Sequence, residues 1–261
     1  MLKLLNIFFI FLIFSSCDFT SILQKDLLRA QLAVNAGEYT KASQIYNDIL
    51  KKSFKRSIRR KILYQQGEIH LVYLQQPKKA LDFFEKIFDG ENDPYWQVVS
   101  LEKMGEINFS YLKNYEKSLN YYNILMNYSP SLERSDFYQF RLALNLKELK
   151  KYPESAIVFE KIAEDKKHLY YSKSFFQIGI INFYEKKWSN AIVQFKKFIS
   201  VDTDIDEIIQ AKFLIANSYE TLEKIPEAYN IYYSLLDQYP NPEVIKGRLK
   251  SLYERRIVRK R

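Results

Sequence analysis

The sequence predicts an all-α fold, an α-solenoid of about six helix–turn–helix repeats followed by a C-terminal capping helix. Three observations lead to this prediction. The 261 residues include only 6 glycines and 7 prolines, fewer than the turns of a strand-rich protein require. Lysine, glutamate, leucine and isoleucine are abundant, which favours helices joined by short connections. A short pattern of apolar residues also returns six times, at intervals of 36 to 38 residues.

The repeated pattern consists of a small residue, an aromatic residue four positions later and a large apolar residue three positions beyond that. Spacing of i, i+4 and i+7 places all three on one face of a helix. The small residue lets a preceding antiparallel helix approach closely, and the aromatic ring fills the space between successive helix pairs. In copies one to six, the three sets are Ala42, Ala80, Ser118, Ser155, Ala191 and Ala228; Tyr46, Phe84, Tyr122, Phe159, Phe195 and Tyr232; and Ile49, Ile87, Leu125, Ile162, Phe198 and Leu235.

This pattern resembles the tetratricopeptide repeat, a helix–turn–helix unit that stacks into a superhelical solenoid. Gly179 and Ala216 precede the small residues of copies five and six by the interval at which that family keeps Gly or Ala. Gly67 and Gly105 lie one position further from the small residues of their own copies. Copies two and three are therefore predicted to have an added turn residue or a shifted first helix. In four copies an aromatic residue also precedes the small residue by three, where it can wedge the turn between the helices.

Helix-start signals support the same architecture. Asp93-Pro94 and Asn241-Pro242 each combine an N-cap residue with a proline at the first helical position. Beyond Pro242, three apolar residues fall on one stripe, as expected of a terminal helix that covers the last repeat. They are Ile245, Leu249 and Leu252.

The segment 1–16 has the pattern of a secretory signal peptide. Lys3 gives a positive start, and the apolar stretch 4–14 is too short for a membrane-spanning helix, which needs about 20 residues. Two serines then lead to Cys17, the only cysteine. This boundary resembles the lipobox of bacterial lipoproteins, with Phe14 where that motif usually has Leu. The resemblance implies lipidation of Cys17; the alternative is an uncleaved anchor or an ordinary signal with an incidental cysteine.

With lipidation at Cys17, the chain is predicted to have four segments and a membrane-bound location. The parts are a signal peptide (1–16), a lipidated tether (17–25), a repeat domain (26–240) and a capping helix with a basic tail (241–261). Acyl chains would hold the protein on a membrane, and we expect the periplasmic face of the outer membrane rather than the inner membrane or the cell surface. The formal net charge of +9 would otherwise favour nucleic acid, but export argues against that partner.

No combination of residues indicates catalysis, a cofactor or a metal site. His70 and His168 have no cysteine or second histidine at ligand spacing, and both are expected at the surface or between helices. The sequence has no Gly-rich phosphate loop and no recognisable Ser–His–Asp order. We therefore expect a protein without enzymatic activity.

Two basic clusters are candidate contacts with anionic lipid headgroups, an acidic cell-wall polymer or an acidic partner. If the first cluster lies on one continuous helix, it forms a broad cationic stripe. The alternative for both clusters is a solubilising surface. Their members are Lys51, Lys52, Lys55, Arg56, Arg59 and Arg60 in the first, and Arg255, Arg256, Arg259, Lys260 and Arg261 in the second.

The concave side of the predicted solenoid is a third candidate site. In tetratricopeptide solenoids the first helix of each pair lines this side, where peptides or helices bind. The resemblance places seven residues there in copies four to six, and the alternative is that some of the aromatic ones belong to the core. The family's clamp of basic residues and Asn for a C-terminal carboxylate is not evident. The seven are Phe140, Leu144, Phe176, Ile180, Phe183, Phe213 and Asn217.

These features together predict a scaffold of the bacterial cell envelope that binds other proteins. Its layout resembles the lipoprotein subunits of the outer-membrane β-barrel assembly machinery, which implies membrane-protein precursors or sibling subunits as partners. The solenoid of the envelope-division coordinators encoded beside the Tol–Pal proteins is similar to the same degree. The rival hypothesis is a lipoprotein that binds anionic lipid or cell-wall polymer through its basic clusters. Salt distinguishes the two, because it weakens electrostatic attachment far more than apolar binding.

Overall fold

The computed structural model describes residues 22–51, 56–90 and 93–258, and these residues form thirteen α-helices and no strand, which confirms the all-α prediction. The N-terminal leader and Cys17 lie outside the described residues. The helices are α1 (Ile22–Asn35), α2 (Tyr39–Lys51), α3 (Arg56–Glu68), α4 (Pro77–Gly90), α5 (Pro94–Glu106), α6 (Tyr115–Met126), α7 (Ser135–Glu148), α8 (Tyr152–Glu164), α9 (Tyr171–Tyr184), α10 (Trp188–Val201), α11 (Ile205–Thr221), α12 (Ile225–Ser234) and α13 (Pro242–Val258). Helices α3 and α5 each continue into a π-helical segment, Ile69–Tyr73 and Ile107–Tyr111.

The chain forms two compact units that divide between Ile107 and Asn108. In the first unit, α1 packs on α2, α3 on α4, and α4 on α5. In the second unit every helix from α6 to α13 packs on the next one along the chain. This neighbour-to-neighbour packing is that of stacked helical hairpins, in which each helix buries its apolar face against the helices beside it in sequence.

The repeated pattern forms the core of both units, as predicted. All of its small, aromatic and large apolar residues are buried, and none is more than 3 % exposed. Ala191, Phe195 and Phe198 show the arrangement in copy five: they share one cluster with Phe175 of α9 and Ile215 of α11. In this copy, one face of the second helix therefore supplies the contacts to both neighbouring first helices.

Each first helix ends in the same turn, which the sequence pattern did not reveal. The residue five positions before the small residue has a positive φ of 52° to 74° in all six copies. In copy five the N–H of Lys186 donates to Phe183 O at 3.1 Å and the N–H of Lys187 donates to Asn182 O at 2.8 Å, which is a Schellman motif. Glycine favours this conformation, yet it occupies the position in one copy only. The residues are Gly37, Gln75, Lys113, Lys150, Lys186 and Glu223.

The residue three positions before the small residue is the first residue of each second helix. It is aromatic in copies one, three, four and five, so the predicted wedges do stand at the turn between the helices. In copy five the indole of Trp188 packs edge-on against Phe183, with ring centroids 4.9 Å apart. The ring thereby covers the end of its own first helix.

Copies two and three accommodate their extra residue inside the first helix rather than in the turn. In copy two the π-helical segment Ile69–Tyr73 accommodates the extra residue, and Gly67 still packs against the ring of Phe84. A Cβ atom on Gly67 would lie 2.5 Å from Cζ of Phe84, and one on Gly179 would lie 2.6 Å from Cε1 of Phe195. The same glycine–aromatic contact is thus made at two different sequence spacings.

The predicted helix starts are confirmed, and one predicted boundary shifts. Asp93 Oδ1 accepts the N–H of Tyr95 at 3.0 Å, and Asn241 Oδ1 accepts the N–H of Glu243 at 3.2 Å. The predicted stripe of α13 is buried against the core of copy six. Helix α1 begins at Ile22, so the helical region starts before residue 26 and includes the end of the predicted tether. No helix within the described ranges has the length and apolar character to cross a bilayer.

Candidate functional site

The predicted concave-side residues lie on α7, α9 and α11, the first helices of copies four to six in the second unit. Six of the seven are half-buried, so part of each side chain is accessible to solvent and part packs against the core. We call these six the first-helix surface: Leu144, Phe176, Ile180, Phe183, Phe213 and Asn217.

Phe140, the seventh, is a core residue and not part of this surface. Its side chain is only 9 % exposed. Its ring stacks on Tyr170 with centroids 4.3 Å apart and meets Phe159 edge-on at 5.5 Å. Because Tyr170 comes from the connection between α8 and α9, its position over Phe140 depends on tertiary structure. Of the two alternatives that the sequence left open, the core role holds for Phe140.

The aromatic members of the first-helix surface are held by the core beneath them. Phe176 contacts the rings of Phe195 and Phe198 at centroid distances of 5.6 and 5.2 Å. Phe213 packs edge-on against Tyr232 and stacks on Tyr239, with centroids 5.7 and 4.8 Å apart. These rings are therefore ordered before any partner arrives, which lowers the entropic cost of binding.

Several charged residues on the same helices are paired within the chain, and Lys173 is one of them. Lys173 of α9 lies 2.5 Å from Glu207, 3.7 Å from Asp202 and 3.8 Å from Asp204. Burial alone lowers the pKa of Lys173, but the hydrogen bond and charge of Glu207, together with the other two carboxylates, outweigh burial and raise that pKa. The ammonium group of Lys173 thus forms ion pairs that join α9 to the start of α11.

Glu220 of α11 fastens the capping helix. Its carboxylate lies 3.2 Å from Arg255 and 3.5 Å from Arg248, both on α13, and it accepts the Tyr232 hydroxyl at 3.3 Å. Burial, reinforced by the charge of Glu220, raises the pKa of Tyr232, so the phenol stays protonated and donates. Arg255 also pairs with Glu223 at 2.6 Å.

The second basic cluster is therefore partly structural. Arg255, predicted as a surface cation, forms ion pairs within its own chain instead. The side chain of Arg256 and all of Arg259, Lys260 and Arg261 lie outside the described residues. The ion pairs form only because α13 packs beside Glu220 and Glu223. The spacing of basic residues in the sequence does not predict that packing.

The described members of the first basic cluster belong to two helices, so the condition for a continuous cationic stripe is not met. Helix α2 ends at Lys51 and α3 begins at Arg56, and Lys52 and Lys55 lie outside the described residues. Nη1 of Arg59 donates to Leu50 O at 3.1 Å. In a single straight helix, nine residues would separate these two by about 13.5 Å along the axis, beyond the reach of that bond.

Exposed tyrosines form a repeated feature that sequence reasoning missed. Tyr73, Tyr111 and Tyr184 are 49 %, 52 % and 58 % exposed, and each stands seven positions before the small residue of its copy. Tyr184 extends the first-helix surface beyond Phe183, and its ring lies 6.1 Å from that of Tyr152. The constant spacing was the signal that could have identified these residues.

Both histidines are buried; His70 lies between helices, one of the two positions predicted for it, and His168 lies in the connection between α8 and α9. Nε2 of His70 lies 3.1 Å from Ser43 Oγ, and Nδ1 lies 3.0 Å from Gln76 Oε1. Burial lowers the pKa of His70. Nε2 of His168 lies 3.6 Å from Asp136 Oδ1. Within the three described ranges, no group of three or more His, Cys, Asp or Glu side chains is placed to hold a metal ion.

Comparison with known proteins agrees with this architecture. Residues 210–242 match the tetratricopeptide repeat family. No curated protein matches the chain in sequence. A solved tetratricopeptide repeat protein from Parabacteroides merdae ATCC 43184 is similar in structure, at 17 % identity and a TM-score of 0.55, with 88 % of this chain and 98 % of that chain covered.

Two further solved structures are similar to this chain. PilW, a widely conserved type IV pilus biogenesis factor, has 14 % identity and a TM-score of 0.58, with 89 % of this chain and 99 % of that chain covered. YrrB, a tetratricopeptide repeat protein with an unusual peptide-binding site, has 19 % identity and a TM-score of 0.52, with 72 % and 90 % covered. The fold of this chain is therefore that of tetratricopeptide repeat proteins.

Proposed function

We propose that this protein is a non-enzymatic scaffold of the bacterial cell envelope, tethered by lipid at Cys17, that binds an extended or helical segment of another protein. One observation carries the binding part of the proposal. The first helices of copies four to six present half-buried apolar side chains, and two charged residues on the same helices, Lys173 and Glu220, are paired within the chain.

The chemistry of the first-helix surface defines the partner. Its aromatic and aliphatic members, above all Ile180 and Phe183, favour a segment with apolar side chains at regular spacing. Asn217 adds an amide that can bond a peptide backbone. Since Lys173 and Glu220 are engaged in ion pairs, recognition rests mainly on apolar contact. The known peptide-binding site of the fold neighbour YrrB supports this class of partner.

The envelope location rests on the segment 1–17. Its short apolar run, its small residues and the cysteine that follows them are the features of a lipoprotein leader. By resemblance, the partners would be precursors or subunits of outer-membrane protein assembly. Radioactive palmitate should label the wild-type chain and leave a Cys17→Ser variant unlabelled; an unlabelled wild-type chain would disprove the lipid tether.

Photo-crosslinking in intact cells tests the binding surface. A benzophenone side chain at Tyr184, on α9, should capture a defined set of envelope proteins. The same group at Ile157, which is 66 % exposed on the second helix α8, is the matched control. An added Asn217→Arg substitution should reduce capture at Tyr184 severalfold while the circular dichroism spectrum stays helical. Equal capture at Tyr184 and Ile157, or capture that Asn217→Arg leaves unchanged, would contradict the proposal.

A further inference from the structure

The first unit contains a small cationic cleft between the start of α3 and the end of α4. Its volume is about 60 Å³. Of the described residues that line it, four carry a positive charge and none carries a negative one. The lining residues are Arg56, Arg59, Arg60, Leu63, Lys86, Ile87 and Gly90.

Two of the guanidinium groups are held in place by the surrounding structure. Arg59 donates to Leu50 O in the last turn of α2 at 3.1 Å. Arg60 bonds Asp93 Oδ2 at 3.1 Å and lies over the Trp96 ring, 5.2 Å from its centroid. These contacts fix both positive groups at one edge of the cleft before any ligand arrives.

Arg56 and Lys86 serve no comparable structural purpose. Among the residues that the structure describes, neither side chain forms an ion pair or a hydrogen bond. Lys86 lies over the Phe83 ring at 5.4 Å, a cation–π contact that leaves its charge unneutralised. Asp93 offsets the charge of Arg60, while Arg56, Arg59 and Lys86 line the cleft with no carboxylate among the described lining residues. These cations repel one another, and an anion bound between them would relieve that repulsion.

We propose that this cleft binds a phosphate group, supplied by free phosphate or by a phospholipid headgroup. Guanidinium forks match the geometry of phosphate oxygens, and a lysine adds a point charge. Pockets for larger organic ligands begin at about 300 Å³, so this much smaller cleft accommodates one small anionic group.

Calorimetric titration with inorganic phosphate at constant ionic strength tests the site. The protein is the chain from residue 17 onward with Cys17→Ser, and the site variant is Arg56→Gln/Lys86→Gln. The matched control is Lys61→Gln/Lys78→Gln, which removes the same charge from exposed residues of α3 and α4 that lie outside the cleft. The wild type should bind phosphate saturably, the site variant about tenfold or more weakly, and the control within about twofold of the wild type.

Two results would overturn the proposal. One is the absence of saturable phosphate binding by the wild type. The other is equal weakening in the site variant and the control, which would make the effect one of net charge alone. Because the site variant removes no ion pair and relieves repulsion between cations, its melting temperature without phosphate should be no lower than that of the wild type. Phosphate should then raise only the melting temperatures of the wild type and the control.

Vesicle flotation identifies the source of the phosphate. Vesicles of phosphatidylcholine alone are compared with vesicles that also contain anionic phosphatidylglycerol. Flotation with the anionic vesicles that is lost in the site variant and reversed by phosphate assigns the cleft to a lipid headgroup. Saturable phosphate binding without flotation assigns it to a soluble phosphate. The cleft belongs to the first unit and the first-helix surface to the second, and they share no residue, so either site can fail its test while the other holds.

Discussion

Copies two and five build the same contact from first helices of different length. In copy five, α9 is a regular α-helix that carries Gly179 and ends at the Lys186 turn. In copy two, Gly67 lies one position further from the small residue of its copy, and the helix widens into a π-helical segment before the Gln75 turn. Both glycines nevertheless face an aromatic ring of the second helix.

The difference shows which features of a repeat are fixed. The glycine–aromatic contact and the left-handed turn residue occur in both copies, while the helix between them changes its winding. A π-helical turn holds one residue more than an α-helical turn over the same rise, so it absorbs an insertion without displacing either end. The contact is therefore maintained at the expense of helical regularity.

Deletion of one residue from the first helix of copy two or of copy five should give the largest difference between the two copies. Removing Val72 would give copy two the length of copy five, so its π-helical segment should become α-helical with a loss of about 1 kcal/mol or less in the free energy of unfolding. Removing Tyr184 shortens α9, which has no residue to spare, and should cost more than about 3 kcal/mol because the Gly179 contact or the Lys186 turn must be lost. Urea titration followed by circular dichroism measures both.

The two deletions control each other, because both remove an exposed side chain near the end of a first helix; Val72 is 54 % exposed and Tyr184 is 58 % exposed. Equal losses from the two deletions would show that the π-helical residue is as necessary as any other. The interpretation of copy two as a regular repeat with one inserted residue would then be wrong.

Substitution of each glycine by alanine should have the next largest effect. A Cβ atom would lie 2.5 Å from the Phe84 ring in Gly67→Ala and 2.6 Å from the Phe195 ring in Gly179→Ala. Each variant should lose about 1–3 kcal/mol of unfolding free energy because the ring has to move. Gly247→Ala is the control: on α13 the added methyl group meets nothing within 4 Å, so stability should rise by up to about 1 kcal/mol. A neutral Gly67→Ala beside a costly Gly179→Ala would mean that the two contacts differ in strength.

A pH dependence confined to copy two is the smallest predicted effect. Three residues after its glycine, copy two has His70 where copy five has Asn182. Burial lowers the pKa of His70 below its ordinary value of 6.5. As pH falls, the unfolded chain therefore takes up a proton at this residue before the folded protein does. The contribution of His70 to the unfolding free energy should be fully present above pH 6.5 and be lost as pH falls below it. Unfolding measured on both sides of that pH should show a smaller decrease in His70→Asn than in the wild type. An unchanged decrease would assign the effect to other groups.

The core and the helix starts could be predicted from the sequence because they depend on local periodicity. Spacing of i, i+4 and i+7 defines one helical face whatever the partner, and the burial of Ala191, Phe195 and Phe198 follows from it. The N-caps of α5 and α13 likewise need only the residues that follow them. Such features hold in any packing that keeps the helices.

The candidate sites were only partly predictable, because their exposure and pairing depend on residues distant in sequence. Phe140 resembles a surface aromatic by spacing, and only the stacked Tyr170 makes it a core residue. Arg59 and Arg60 are neighbours in one basic cluster of the sequence, but in the fold Arg59 bonds the end of α2 and Arg60 bonds Asp93. A count of charges does not reveal which of them are neutralised.

The sequence by itself determined an all-helical chain of six repeats, with its core positions, its helix starts and the apolar stripe of its last helix. Only the tertiary structure decided the π-helical accommodation in copy two, the non-glycine left-handed turns and the gathering of four cations in one cleft. The physical reason is the sequence separation over which each effect acts, because helical periodicity involves residues only a few positions apart. Ring contacts, ion pairs and clefts form between groups that only folding brings together.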